Sequence, residues 1–290
     1  MSTRKQCKNP CCIENSSPYN QPLENIPGIN MNDIWNKLSK EAEEVIREET
    51  LLQDYLSECV LMHESFETAL SFILANKVSD DVMSTDTLRA LFLDVFRSSP
   101  VIVGSAVEDI KAAFDRDPAV CTYLSVILYL KGYQAIQVHR LANFLWHNHR
   151  KELALFIQSR NSEVFSVDIH PACEMGSGIM FDHATGIVIG ETTIIEDNVS
   201  ILQQVTLGGT GNEQGDRHPK IRSGVLISAG AKVLGNIEIG EGAKIGAGSV
   251  VLSSVPPHTT VVGVPARNVG TPTSDAPAET MQQNVFEDET

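Results

Sequence analysis

Ile187-Val-Ile-Gly-Glu-Thr-Thr-Ile-Ile-Glu-Asp-Asn-Val-Ser-Ile-Leu-Gln-Gln-Val-Thr-Leu207 and, after an interruption, Ile221-Arg-Ser-Gly-Val-Leu-Ile-Ser-Ala-Gly-Ala-Lys-Val-Leu-Gly-Asn-Ile-Glu-Ile-Gly-Glu-Gly-Ala-Lys-Ile-Gly-Ala-Gly-Ser-Val-Val251 carry an aliphatic residue at every sixth position. The series is Ile189, Ile195, Ile201, Leu207, then Ile221, Ile227, Val233, Ile239, Ile245 and Val251. Four positions after each comes a small or β-branched residue, such as Thr193, Val199, Val205, Val225, Ala231, Ala243 and Ser249. Two inward side chains per hexad, on short strands separated by turns, account for this pattern. Such strands stack on their equivalents one coil away and bury the aliphatic residues in a continuous ladder, which is a parallel β-helix.

Across the rest of the chain the composition divides in two: 17 of the 20 glycines lie between Val164 and Gly270. From Met31 to Glu163 there are only two glycines and two prolines, as long helices require. Ile34, Leu38, Ala42 and Val45 recur at the helical period, as do Leu52, Tyr55, Leu56 and Cys59. Ser105 with Glu108 has the spacing of a capping box, and Asp117-Pro118 reads as a helix start. The fold class expected is α+β: an all-helical domain over 31–163, then a β-helix over 164–270. A polar segment over 1–30 is expected to be disordered, and the acidic tail over 271–290 to be flexible.

The formal charge of −15 argues against a nucleic-acid partner, and no apolar run is long enough to span a membrane. A cytoplasmic location is the expectation, with its six cysteines reduced. Cys7, Cys11 and Cys12 cluster without a fourth ligand, so no metal is expected.

The repeat breaks twice, and both breaks carry ionisable residues. The first runs from Asp168-Ile-His-Pro to Phe181-Asp-His-Ala-Thr-Gly186, and the second is Gly208-Gly-Thr-Gly-Asn-Glu-Gln-Gly-Asp-Arg-His-Pro219. Loops on a rigid scaffold are where catalytic groups concentrate. Asp168 and His183 are separated by slightly less than one coil of three hexads, so stacking can place the carboxylate against the imidazole. A histidine general base is what acyl transfer from a thioester to an alcohol needs, because a hydroxyl is a weak nucleophile near neutral pH. On their own, Asp117 also reads as a helix cap, Asp182 as a turn residue, and Arg217 and His218 as solvated loop residues. His139 and His170 read as structural.

The ordered segments Asp168-Ile-His-Pro, Asp182-His-Ala-Thr-Gly, Val205-Thr-Leu-Gly-Gly-Thr-Gly, Gly215-Asp-Arg-His-Pro-Lys-Ile221 and Gly263-Val-Pro-Ala-Arg267 closely resemble serine O-acetyltransferases of the hexapeptide-repeat class, over roughly Asp109 to Gly270. Arg116-Asp-Pro and Leu130-Lys-Gly-Tyr add to the likeness. The resemblance implies a left-handed parallel β-helix and transfer of acetyl from acetyl-CoA to L-serine, the first step of cysteine biosynthesis, by direct attack in a ternary complex. It implies His183 as base with Asp168 as its carboxylate partner. Asp117 and Asp182 match the acids that receive the substrate ammonium, and Arg217 and His218 the groups that receive its carboxylate. Gly209, Ala229 and Ala247 match small residues along the acetyl-CoA arm, and Lys244 is assigned to the nucleotide end by its charge.

The resemblance further implies a homotrimer, or a hexamer built as a dimer of trimers, and feedback inhibition by L-cysteine. Relatives dock a C-terminal isoleucine into O-acetylserine sulfhydrylase. This chain ends Phe286-Glu-Asp-Glu-Thr290, a departure that counts against that complex. Three rival readings share parts of the pattern: a sugar or antibiotic O-acetyltransferase, a zinc β-helix that hydrates carbon dioxide, and a non-enzymatic scaffold. Paired acids opposite an arginine suit a zwitterion better than a sugar, and His183 with His218 provides too few ligands for zinc.

Overall fold

The computed structural model describes residues 31–211 and 214–285. The expectations for 1–30, including Cys7, Cys11 and Cys12, and for Phe286–Thr290 lie outside these residues.

Helices come first. α1 (Met31–Glu48) buries Ile34, Leu38 and Ala42 on one face, as its period predicts. The next run is broken: a short 3₁₀ turn, α2 (Gln53–Leu56) and a π turn over Ser57–Leu61 still bury Leu56, Cys59 and Val60. α3 (Phe66–Val78), α4 (Thr85–Ser98), α5 (Pro100–Arg116), α6 (Tyr123–Tyr129), α7 (Lys131–His147) and α8 (Lys151–Phe165) follow.

Two sequence-level helix starts are corrected. Ser105 is no cap: α5 begins at Pro100 after Ser99, which places Ser105 in mid-helix, where its hydroxyl bonds that of Ser177 at 2.8 Å. Asp117 ends α5 instead of starting a helix, because its Oδ1 accepts the Ala119 N–H at 2.8 Å and closes a local turn. The next helix opens at Tyr123, where Thr122 caps the Ser125 N–H.

After α8, Ser166 alone, in the left-handed region (φ 58), turns the chain into the β-helix. The first coil is β1 (Val167–Ile169), β2 (Glu174–Met175) and β3 (Met180–Asp182). The second is β4 (Ile187–Ile189), β5 (Ile194–Ile195) and β6 (Ser200–Leu202). The third is β7 (Thr206–Gly208), β8 (Lys220–Ile221) and β9 (Leu226–Ile227), and the fourth β10 (Lys232–Leu234), β11 (Glu238–Ile239) and β12 (Lys244–Ile245). β13 (Val250–Val251) and β14 (Thr260–Gly263) make a last partial coil, and β15 (Ala266–Gly270) turns back antiparallel on β14. Three sheets result: β1-β4-β7-β10-β13, β2-β5-β8-β11 and β3-β6-β9-β12-β14-β15, termed the first, second and third faces.

Parallel register places Ile169, Ile189, Leu207, Val233 and Val251 in one interior ladder, all almost fully buried. Each such side chain contributes roughly 1.5–3 kcal/mol relative to exposure. The small residues between them, Thr193, Val199, Val205, Ala231, Ala243 and Ser249, are buried as well.

A buried polar network joins the helices to the first coil. Arg140 on α7 and Asp109 on α5, both fully buried, meet at 2.8 Å. Asp109 also accepts from Gln137 (2.9 Å) and from the Ile179 N–H (2.8 Å), and Arg140 donates to the Met175 and Gly176 carbonyls. With so many partners satisfied, the pair is tolerated in the interior.

The tail differs from its sequence expectation. α9 (Pro277–Thr280) packs on α5 and β9, with Ala278 fully buried and its carbonyl accepting from Ser200 Oγ at 2.8 Å. Sequence polarity misses this because the contact rests on two small apolar residues, Pro277 and Ala278, and on backbone groups. No single helix among the described residues is long and apolar enough to cross a membrane.

Candidate active site

The first break in the repeat is a corner of the coil. Phe181 and Ile189 are two residues further apart than a hexad, and the surplus is taken up by Asp182-His-Ala-Thr-Gly186 between the third and first faces. His183 (φ 56) and Ala184 (φ 61) are both left-handed without being glycine. Such residues each cost of order 1–3 kcal/mol and persist only where neighbours over-determine them. Here Ala184 is fully buried, Ala184 N bonds Asp182 O (2.6 Å), Thr185 N bonds His183 O (2.8 Å), and Gly186 N bonds Ser166 O (2.7 Å). The consequence is an imidazole turned outward, 74% exposed.

This corner forms one wall of a cavity of about 330 Å³ whose other wall is the α5 end and the α6–α7 junction. Asp117, Asp182 and His183 line it together, with Asp109, Tyr129 and Tyr133 deeper or at the rim. Lys131 reaches from the start of α7 to the Thr185 hydroxyl. Burial pushes the Asp182 carboxyl above the usual aspartate range, Asp117 pushes it the same way, and His183 works against both. Two carboxylates in one partly dry cavity favour a bound cation. His183 Nε2 lies 3.7 Å from Asp182 Oδ1.

Asp168 is not paired with His183. It stands on β1, its Oδ1 accepting from Gln158 on α8 at 2.8 Å. The link to the corner is through backbone: Ser166, two residues before Asp168, holds Gly186.

Arg217 and His218 are not in this cavity. They precede β8 and therefore sit at the corner between the first and second faces. There His170, Glu191–Thr192 and Arg217–His218 stack from successive coils. Arg217 Nη2 bonds Glu191 Oε2 at 2.7 Å, and its backbone N–H and that of His218 both bond Thr192 Oγ1. His218 is nearly buried, and its basicity is lowered by burial first and by Arg217 second. His170 packs edge-on to Trp146 and is likewise held below the usual histidine range by burial. His139 is fully buried on α7 and its pKa is lowered to about 3 by desolvation, in keeping with a structural role.

The residues assigned to acetyl-CoA divide between the two corners. Ala229 and Ala247 occupy the same edge as His183, one coil apart, with Gly248 N bonded to Ala229 O at 2.8 Å. Gly209 belongs to the other edge, where a Cβ would lie 3.6 Å from His218 Nε2. Lys244 faces outward from β12 but is buried, and its ammonium donates to the Asn284 carbonyl of the tail. Charge alone marked it for a nucleotide, and charge does not register that the tail covers it.

Sequence reading missed Asp109, Lys131, Glu191 and Thr192. Two of them left a signal: Asp109 as an acid on the otherwise apolar stripe Ile102, Ala106, Ile110, Ala113 of α5, and Lys131 within the quoted Leu130-Lys-Gly-Tyr. Among the described residues no group of three or more His, Cys, Asp or Glu is arranged to hold a metal.

Residues 34–138 match the family described as serine acetyltransferase, N-terminal, and residues 218–253 the bacterial transferase hexapeptide (six repeats). The serine acetyltransferase of Escherichia coli K12 is 53% identical over 251 residues, which is 87% of this chain and 92% of that one. A serine acetyltransferase structure in complex with cysteine superposes with a TM-score of 0.87 at 50% identity, covering 89% of this chain and all of that one. The Brucella abortus enzyme in complex with coenzyme A gives 0.81 at 50% identity (82% and 96% covered), and the soybean enzyme complexed with serine 0.81 at 53% (82% and 98%).

Proposed function

Because this chain belongs to the serine acetyltransferase family, acyltransferases that use acetyl-CoA, we propose that it moves the acetyl group of acetyl-CoA to the hydroxyl of L-serine, giving O-acetyl-L-serine and CoA. The observation that carries the reading is the cavity that brings Asp117, Asp182 and His183 together. Two acids receive the serine ammonium, and an exposed imidazole stands at the rim beside its hydroxyl.

In this reading His183 takes the hydroxyl proton as the oxygen attacks the thioester carbonyl. The tetrahedral adduct collapses with loss of the CoA thiolate, which recovers the proton from the imidazolium. No acyl-enzyme intervenes. Asp168, held by Gln158 and not paired with His183 in the free chain, is the carboxylate this reading assigns to orient the ring and stabilise its charge, which requires the two side chains to meet once the substrates bind. Holding both reactants in register supplies much of the rate.

A single chain holds only one end of serine, since Arg217 and His218 lie at another corner. A second copy packed with its first-to-second corner against the third-to-first corner of its neighbour completes the site. The pantetheine arm then runs in the groove between them, past Ala229 and Ala247 on one copy and Gly209 on the other. A head-to-tail arrangement of this kind closes as a ring, in keeping with a trimer. L-cysteine, alike at both charged ends, occupies the serine position and inhibits.

The test is release of thiol from acetyl-CoA with L-serine, beside controls without acceptor or with a sugar alcohol. Serine-dependent release that falls by ~10²-fold or more in His183→Ala supports the assignment. Release only with the sugar alcohol would reassign the acceptor, and undiminished turnover in His183→Ala would remove the base.

A further inference from the structure

His218 receives the substrate carboxylate in the proposed reaction, and the part played by its neighbour Thr192 rests on that role. An imidazole can meet a carboxylate in two states: as a cation, or as the neutral ring with its proton on the facing nitrogen. The corner around Thr192 decides between them.

Thr192 N–H donates to His218 Nδ1 at 3.1 Å, and Thr192 Oγ1 lies 3.0 Å from the same nitrogen. A backbone N–H can only donate, so Nδ1 must offer its lone pair. Thr192 Oγ1 accepts from the Arg217 N–H (3.0 Å) and the His218 N–H (3.1 Å), which leaves its own proton for an acceptor. Asp216 is also within reach of that hydroxyl, but the backbone donor settles Nδ1 by itself. The Thr192 carbonyl is held in turn by Lys220 Nζ at 2.7 Å, and the same ammonium binds Asp216 Oδ1 and the His218 carbonyl. The ring packs against Gly190, where a Cβ would come within 2.1 Å of Nε2 and Cδ2. Nε2 has no partner among the described residues. The titratable and charged groups that face the ring are Arg217, Lys220 and His170, which disfavour a second proton, and Glu191, which favours one and is itself held by Arg217.

We infer that Thr192 is a positioning residue for the amino-acid substrate: it fixes His218 as the neutral tautomer with its proton on Nε2, and it clamps the Arg217–His218 backbone so that both side chains present donors to one carboxylate. A protonated ring would put an N–H against the Thr192 N–H, so the site draws its positive charge from Arg217 alone. His218 contributes a directed neutral hydrogen bond.

Thr192→Val keeps the backbone donor and the side-chain shape but orphans the Arg217 and His218 amides, and Thr192→Ser restores the hydroxyl. The KM for serine is expected to rise about tenfold in Thr192→Val and to return within about twofold of wild type in Thr192→Ser. The KM for acetyl-CoA stays within about twofold throughout. Solid-state ¹⁵N spectra of histidine-labelled enzyme, with His218 identified by its loss in His218→Gln, should show a neutral ring protonated at Nε2 at pH 7. A ring protonated at Nδ1 or at both nitrogens overturns the inference, as does a serine variant as impaired as the valine one, or an equal rise in both KM values. His218→Gln separates this from the underlying reading. A normal serine KM there removes the carboxylate role, and a raised one beside a normal Thr192→Val removes only the part given to Thr192.

Discussion

The Gly132 backbone in the first turn of α7 lies against the Phe181 carbonyl, so closely that a Cβ at 132 would come within 2.0 Å of that oxygen. This contact presses the helix onto β3 one residue before Asp182 and sets the width of the cavity. Gly132→Ala should destabilise by about 1–3 kcal/mol and lower kcat/KM for serine about tenfold to a hundredfold. Denaturant unfolding beside initial rates checks it. Wild-type behaviour in both would mean that the helix moves away freely.

The carboxylate that serves His183 is open to a direct comparison. Asp168→Asn should lower kcat by ~10²-fold or more with little change in serine KM, while Asp182→Asn should act mainly on serine KM. The reverse outcome would give the orienting role to Asp182, which already stands 3.7 Å from the imidazole.

Asp182 also makes a stability prediction. Its folded pKa is raised by burial and by Asp117, so the folded state keeps its proton more tightly than the unfolded chain. Ionisation therefore costs stability as pH rises above the ordinary aspartate value of about 3.9, and the cost is complete once pH passes the raised value. Asp182→Asn should melt higher than wild type at pH 7 and lose that advantage near pH 3. An equal melting difference at both pH values would show that the effect is not electrostatic.

Asp109 and Arg140, both fully buried, tie α5, α7 and the first coil together. Asp109→Ala leaves a buried guanidinium without its counter-charge and should cost about 3–5 kcal/mol by chemical denaturation. The double variant Asp109→Ala with Arg140→Met should lose less than the two single variants added. Simple additivity would argue against coupling.

The proposed sharing of the site between copies predicts complementation. His183→Ala and Arg217→Ala should each be nearly inactive as pure assemblies. When co-expressed and co-assembled, about a quarter of the interfaces join an intact His183 to an intact Arg217, and about that share of wild-type activity should return. No recovery in mixed assemblies confirmed by mass would place both residues in one chain's site.

The solenoid was legible in the sequence because an interior ladder at every sixth residue is a local demand: each coil must fill the same interior, and Ile189, Leu207, Val233 and Val251 answer it one by one. The helical half was legible as a class, yet two of its starts were misread. Ser105 and Asp117 carry capping chemistry, and what decided their use was which partner lay nearest, Ser177 for one and Ala119 for the other. The ionisable residues at the two breaks were likewise visible as candidates. Their grouping was not, because the excursion after Gly208 returns to the corner it left, and hexad counting does not follow a loop.

Spacing along the chain was thus enough to specify a helical region followed by a parallel β-helix, and to mark which residues interrupt the repeat. It took three-dimensional packing to decide that His183 shares its cavity with Asp117 and Asp182 while Arg217 and His218 stack on Thr192 at another corner, and that the tail covers Lys244. Those relations depend on distances between elements far apart in the chain, which are set by how the coils stack and how α5 and α7 pack on them.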